Sequence, residues 1–411
     1  MKCIIVIASV YAATCAGASV LEISAACGKA SDKGETPLGR LCEVPLGGGT
    51  FSGSGIKGRV VPGGVDRQYA EADGITRLEA EYVLLADDGT EIGVKNSAVA
   101  TKDGIICSYP VFTAPREGPY RRLNDGVFTA KIDGIKGGVN IIVEKDGKSR
   151  ILEEGGSGPH KAVMTEAKNL PEHTIFRPKD LTPFSASNPL PVLVWANGAC
   201  ANSPFEHMKF LNEIASFGYL VVATGFLPEN DGIYRGPMSR SEQQIESIDW
   251  VFAENADPSS RLFRKIDLKH ICLAGMSCGG LQTIRNCADA RISAVMICNS
   301  GLFVNPAAAM PGMPMPGKEK LLDLHTPVIY IMGGKKDIAY ENGMDDFRRI
   351  KHVPATMANY PSGHAGTFAH PRGGAFAELA RAWLDSRFKG KGGINGFRNR
   401  GWTVETNGLG D

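Results

Sequence analysis

Two rhythms of apolar residues divide the chain. From about residue 38 to 150, segments such as GRVVPGGVDRQ, RLEAEYVLLADDGTEIGV and GVFTAKIDGIKGGVNIIVEKDG alternate apolar and polar positions and break at Asp-Gly or Gly-Gly. A period of two turns one face of each strand inward. Short strands at regular spacing predict an antiparallel β-barrel or sandwich. LEEGGSGPH, residues 152–160, has no periodicity and reads as a glycine-rich linker. Beyond it the apolar runs PVLVWAN, YLVVATGF, HICLAG, AVMICNS and PVIYIMGG alternate with helical stretches such as FEHMKFLNEIASFG and RSEQQIESIDWVFAENA. Nearly continuous apolar strands separated by helices predict a mostly parallel, doubly wound sheet covered on both faces. The expected organisation is a leader at 1–18, a barrel at 19–150, a linker at 151–168, an α/β domain at 169–388 and a tail at 389–411.

The first twenty residues, MKCIIVIASVYAATCAGASV, carry one positive charge, a short apolar stretch and Ala-Gly-Ala as a small-residue cleavage site. That is the layout of a secretory signal peptide, with a buried first strand as the alternative, and it points to a secreted protein. No other segment has eighteen uninterrupted apolar residues, so no permanent membrane anchor is expected. Lys plus Arg (45) nearly balance Asp plus Glu (44), and no basic stripe carries interleaved aromatics. Nucleic acid is therefore not an expected partner. The ten cysteines include no CxxC pair or zinc spacing, so neither metal nor other cofactor is expected. GSGIKG at 53–58 fits a dinucleotide-binding spacing but leads into a strand, where a pyrophosphate site needs a helix N-terminus.

The chemistry lies in KHICLAGMSCGGLQ, residues 269–282. GMSCG is G-x-S-x-G between an apolar strand and a helix, the setting of a nucleophile elbow, which makes Ser277 the nucleophile. Asp337 follows the strand in YIMGGKKDIAY, and His364 follows another short strand in ANYPSGHAGTF. Ser, Asp and His thus fall in order at the carboxyl ends of successive strands, where open parallel sheets bind ligands. His370 is the alternative base. Asp345 and Asp346 sit in a helical stretch and read as a solvated face. The oxyanion hole needs one N–H after the nucleophile, that of Cys278, and one from the loop after an earlier strand. Ala199 is the expected second donor, with Cys200 as the alternative. AAAMPGMPMPG, with Met310, Met313 and Met315, reads either as an adaptable apolar flap for substrate or as a plain surface loop.

These residues make the second half resemble an α/β-hydrolase, closest to the dienelactone-hydrolase-like and polyester-hydrolase-like serine hydrolases. Dienelactone hydrolases carry Cys at the nucleophile position, where this chain has Ser277. The resemblance implies cleavage of a hydrophobic ester, lactone or thioester by an acyl-enzyme route. The same scaffold also allows acyl transfer, cyclisation or dimerisation of a natural product, and an inert binding protein is a third class. PLGGGTFSGSGIKGRVVPGGVDRQ, DGITRLEAEYVLLADDGTEIGVKNSAVA and YRRLNDGVFTAKI make the first half resemble small barrel proteins of unknown function. That resemblance implies an allene-oxide-cyclase-like or lipocalin-like barrel and no chemistry.

One further expectation concerns thiols. Cys200 lies in the loop of one oxyanion donor and Cys278 supplies the other, so a Cys200–Cys278 disulfide would fix both. Two free buried thiols, or Cys287 as the partner, are the alternatives. Cys272 and Cys298, inside apolar runs, read as small buried hydrophobes.

Overall fold

The computed structural model describes residues 19–229, 236–305 and 316–409. The chain divides into two compact units, the first holding residues 1–150 with short pieces at 180–183 and 254–263, the second the remainder.

The first unit contains β1 (Ser19–Cys27), β2 (Ser31–Thr36), β3 (Gly39–Gly53), β4 (Ile56–Val60), β5 (Gly64–Ala70), β6 (Thr76–Ala86), β7 (Glu91–Thr101) and β8 (Gly104–Thr113). The short helix α1 (Arg122–Asp125), β9 (Phe128–Ile135), β10 (Gly138–Lys145) and the two-residue β11 (Ser149–Arg150) follow. The circuit β1-β3-β4-β6-β7-β8-β9-β10 returns to β1, so eight antiparallel strands close a barrel. β5 pairs with the first part of β3 while β4 pairs with its last part. The 15-residue β3 is long enough to pair with β1, β2, β4 and β5, and it runs close against β1. At Gly49 (φ 145°) a Cβ would stand 1.9 Å from the Ser24 carbonyl oxygen, a place only glycine fits. The period of two turns Leu21, Ile23, Leu84, Ile92 and Val143 fully inward.

The second unit carries β12 (Ala162–Ala167), β13 (Leu170–Pro178), β14 (Leu190–Ala196), α2 (Met208–Ser216), β15 (Leu220–Thr224), α3 (Gln243–Ala256), β16 (Ile266–Met276), α4 (Cys278–Asn286) and β17 (Ala294–Cys298). β18 (Val328–Met332), α5 (Tyr340–Arg349), β19 (Ala355–Asn359), α6 (Gly374–Lys389) and β20 (Thr403–Thr406) complete it. Its strands form one mixed sheet in the order β12-β13-β15-β14-β16-β17-β18-β19-β20. From β15 to β19 every pairing is parallel, and the antiparallel pairings stand at the two edges. β14, β15, β17 and β18 are buried at every position, as strands covered on both faces must be. Trp195 on β14 is wholly buried against Phe210 and Phe368, with ring centroids 5.2 and 5.8 Å away. Emptying that position costs about 3–5 kcal/mol.

Three expectations need correcting. The linker of 151–168 is ordered from Ala162 as β12, whose first four residues are buried. The tail of 389–411 ends in β20, which pairs with β19, and its Trp402 is only 4% exposed. Asp346 is not on a solvated face: its side chain is fully buried, 2.6 Å from Lys318 Nζ. The leader at 1–18 and Met310, Met313 and Met315 lie outside the described residues. Among the described residues no helix is long and apolar enough to cross a membrane.

Candidate active site

Ser277 sits on the turn between β16 and α4 with φ 51° and ψ −115°, a conformation that costs an L-residue of order 1–3 kcal/mol. The turn is held from both sides. The Ser277 N–H donates to the Cys298 carbonyl at 2.9 Å, and the Ser300 hydroxyl donates to the Ser277 carbonyl at 2.7 Å. The neighbouring glycines permit the close approach. A Cβ on Gly279 would lie 2.1 Å from the Ala196 carbonyl oxygen, and one on Gly275 would lie 2.2 Å from the Gly279 carbonyl oxygen.

The three residues expected from strand ends meet. His364 Nε2 lies 3.0 Å from Ser277 Oγ, and His364 Nδ1 lies 2.6 Å from Asp337 Oδ1. Asp337 is buried and fully engaged. It accepts from Asn299 Nδ2 at 2.8 Å, from the Gly333 N–H at 3.0 Å and from the Ala339 N–H at 2.9 Å. Burial pushes its carboxyl upward, but the hydrogen bonds from His364, Ala339 and Gly333 outweigh that and hold it below the usual carboxylate range. An ionised Asp337 fixes the His364 tautomer with Nδ1 protonated, which leaves Nε2 free to accept from Ser277.

The sequence reading did not single out Asn299. It stands directly after β17 at φ 43° and bridges Asp337 to the Gly363 carbonyl, 3.2 Å away and one residue before His364. No motif marks an Asn after a strand; the signal is its positive φ, which Asn tolerates better than most residues.

The two expected oxyanion donors lie at the start of α4 and in the loop after β14. Cys278 is the first residue of α4, where helical N–H groups have no intrahelical carbonyl to bond. Ala199 is the middle residue of a single 3-10 turn, Gly198–Cys200, closed by the Ala201 N–H on the Gly198 carbonyl. Ala199 and Cys200 both have positive φ, 53° and 48°. The strained turn is held by Asn197 Nδ2, which donates to the Ala201 and Thr224 carbonyls, and by the Ser239 N–H on the Cys200 carbonyl. Cys200 and Cys278 are joined by a disulfide with Cα atoms 5.2 Å apart, so Cys287 is not the partner. Cys272, Cys287 and Cys298 are free and buried.

Two exposed apolar side chains flank the same turn. Phe226, 45% exposed, donates its N–H to the Asn202 carbonyl, and Met238, 45% exposed, pairs with Ala201 in a β-bridge. Among the described residues no group of three or more His, Cys, Asp or Glu is placed to hold a metal ion. The arrangement can move a proton from the Ser277 hydroxyl to the His364 imidazole, whose other nitrogen is held by Asp337.

Comparison with known proteins bears on the first unit. Residues 18–106 match a family described as a protein of unknown function, DUF3237. The chain is 38% identical over 64 residues to a UPF0311 protein of Clostridium acetobutylicum and 35% identical over 80 residues to one of Rhodopseudomonas palustris. These matches take in 16% and 20% of this chain and 40% and 52% of the relatives, so the chain spans about half the length of the curated relatives it matches. Among solved structures it is similar to a conserved protein of unknown function from R. palustris, at 26% identity and TM-score 0.29, over 31% of this chain and 94% of that one. A β-barrel-like protein from Acinetobacter baumannii matches at 20% identity and TM-score 0.29, over 31% of this chain and 92% of that one. The first unit, whose strand pairing closes a barrel, is similar in sequence to a family described as of unknown function.

Proposed function

We propose that the second unit is a serine hydrolase of the α/β-hydrolase class, cleaving a hydrophobic ester, lactone or thioester through Ser277, His364 and Asp337. The observation that carries this reading is the unbroken relay Ser277 Oγ to His364 Nε2 at 3.0 Å and His364 Nδ1 to Asp337 at 2.6 Å. Ser277 Oγ bonds to the substrate carbonyl carbon while His364 Nε2 takes its proton. The carbonyl oxygen becomes an oxyanion held by the Ala199 and Cys278 N–H groups. Collapse expels the alcohol or thiol, which leaves with the proton from His364. Water then gives a proton to His364, attacks the acyl carbon and releases the acid, and Ser277 regains its proton. Phe226 and Met238 beside the oxyanion turn support an apolar acyl or alkyl group. The Cys200–Cys278 bond supports passage through an oxidising, secretory compartment.

The test is hydrolysis of p-nitrophenyl butyrate in oxygen-18 water, with a fluorophosphonate as covalent probe. The expected result is one labelled oxygen in the butyrate and phosphonylation of Ser277. An acyl group passed to another acceptor without labelled acid, or a chain that the phosphonate leaves unmodified, would overturn the hydrolase reading.

A further inference from the structure

The inward face of α5 carries a charge where its neighbours are apolar. Gly343, Met344, Asp346 and Phe347 are its buried residues, and a helix face turned to a core needs only apolar ones. Burial pushes the Asp346 carboxyl up to about 6, against the pull of Lys318 and of the hydrogen bonds it accepts. Replacing a buried ion pair by apolar side chains is often neutral or stabilising, so the pair with Lys318 is by itself no reason for an aspartate here.

What Asp346 holds supplies a reason. Its Oδ2 accepts the Leu302 N–H at 2.8 Å and the Tyr330 hydroxyl at 3.3 Å, while Oδ1 accepts from Lys318 Nζ at 2.6 Å. Lys318 also stands 2.7 Å from Asp345, so the ammonium keeps a partner without Asp346. Leu302 is wholly buried and ends the short loop that braces the site. In that loop Asn299 donates to Asp337, and Ser300 donates to the Ser277 carbonyl. The loop lies backbone to backbone on α5. A Cβ on Gly301 would stand 2.3 Å from the Gly343 nitrogen, and one on Gly343 would stand 2.8 Å from the Ser300 carbonyl oxygen. α5 in turn begins just after Asp337, whose carboxylate accepts the Ala339 N–H. The contacts close a ring from Asp337 along α5 to Asp346, across to Leu302, and back through Asn299 to Asp337.

We propose that Asp346 is a positioning residue: through the Leu302 N–H it sets the place of the Asn299–Ser300 loop, and through that loop the bearing of Asp337 and Ser277. Its effect on turnover rests on the hydrolase reading, whereas its effect on the Asp337–His364 pair does not. The role requires an acceptor at Oδ2 and not a charge. Asp346 acts from outside the relay and touches no reacting atom.

The experiment compares two double variants of the full chain, Asp346→Asn/Lys318→Met and Asp346→Leu/Lys318→Met. Both lose the buried ion pair, both carry a side chain branched at the γ-carbon, and only the Asn form can accept the Leu302 N–H. The first readout is kcat and KM on p-nitrophenyl butyrate. The second is the proton resonance of His364 Nδ1–H, which the 2.6 Å bond to Asp337 places far downfield and which needs no substrate. The Asn form should have a kcat about tenfold or more above that of the Leu form, with KM values within about threefold of each other. The His364 resonance should keep its native position in the Asn form and be displaced in the Leu form. Lys318→Met alone, which retains Asp346, should keep kcat within about threefold of the native value. Equal kcat or one shared resonance position in the two double variants would overturn the proposal. So would a loss in Lys318→Met as large as that in the Leu form, since the ion pair would then be what fixes the loop. If the Leu form does not fold, Asp346→Ala/Lys318→Met, which overfills nothing, takes its place. A native chain that leaves the ester intact would count against the hydrolase reading, and the His364 resonance would still decide the role of Asp346.

Discussion

Removing the Cys200–Cys278 disulfide separates two consequences that share one bond. In the double variant Cys200→Ala/Cys278→Ala the denatured chain regains the freedom that a closure spanning 78 residues had removed. The chain-entropy relation gives about 15 cal/mol/K for a loop of that length, or about 4.5 kcal/mol at 25 °C. Both sulfurs are buried, the two residues being 1% and 0% exposed, so the two alanines also leave small cavities that add to the loss. Urea unfolding followed by tryptophan fluorescence measures it. A stability loss under about 1 kcal/mol would refute the entropic argument.

The second consequence follows from the proposed hydrolase chemistry. Ala199 and Cys200 hold positive φ, and conformations of that kind persist only where the surroundings over-determine them. Without the covalent tie, the turn rests on hydrogen bonds only, those of Asn197, Ser239 and the Ala201 N–H together with the Ala201–Met238 bridge. The Ala199 N–H then loses its fixed bearing relative to that of residue 278. Loss of one oxyanion donor typically lowers turnover about 10²- to 10³-fold. The double variant should therefore show kcat on p-nitrophenyl butyrate reduced at least tenfold, measured well below its unfolding midpoint, with KM little changed. A kcat within threefold of the native value would show that the hydrogen bonds position the turn unaided and would refute the reasoning.

Other expectations follow from the same geometry. Ser277→Ala should lower turnover on the order of a thousandfold or more, and phosphonate labelling should disappear with it. Asp337→Asn should cost about 10⁴ in kcat by favouring the wrong imidazole tautomer. Because Asp337 is held below the usual carboxylate range, the stability it contributes is complete above about pH 4 and is lost as pH falls further. Acid unfolding monitored between pH 5 and pH 2 should accordingly be less steep in Asp337→Asn than in the native chain. Asn299→Ala removes one hydrogen bond to an ionised group, worth about 1.5–3 kcal/mol, and should reduce kcat about ten- to a hundredfold while sparing KM. Gly279→Ala sets a methyl against the Ala196 and Asn197 carbonyls and should abolish soluble expression, since the atoms it meets are backbone.

What could be read in advance was what local pattern controls. Ser277, Asp337 and His364 each stand just past a buried strand, so strand ends and chain order located them without any knowledge of distance. The barrel and the parallel sheet were legible because their apolar periods differ, two in one and a continuous run in the other. Asp346 was misread because its partner is remote. Lys318 comes from 28 residues upstream of Asp346 and bridges Asp345 as well, which also pairs with Arg349, so nothing in YENGMDDFRR marks which of the two aspartates turns inward. β20 was missed for a related reason, since four residues of TVET carry little alternation and become a strand only by pairing with the edge of β19. The barrel interior, lined in part by Asp66, Gln68 and Asn96, shows the limit from the other side. DRQ on β5 obeys alternation in spacing but puts its charged and amide residues on the inward phase, and only the register with β6 and β7 reveals them as neighbours.

The pair Ser277 and Cys278 shows how one residue of offset separates two chemistries. Ser277 takes the strained φ at the head of the turn, and its Oγ lies within hydrogen-bond reach of His364. Cys278 is already helical, so its side chain leaves the turn in a different direction and its sulfur is spent on Cys200. With that sulfur oxidised there is no thiolate to compete for an acyl group. The backbone N–H of the same residue remains at the helix start, available to an oxyanion, and the disulfide fixes where it is. Exchanging the two residues, as Ser277→Cys with Cys278→Ser, would put a thiol where the relay can ionise it and break the tie that holds the opposite donor. Turnover should fall at least as far as in the double-alanine variant. An iodoacetamide-sensitive activity equal to the native one would mean that the relay, and not the anchored oxyanion turn, sets the rate.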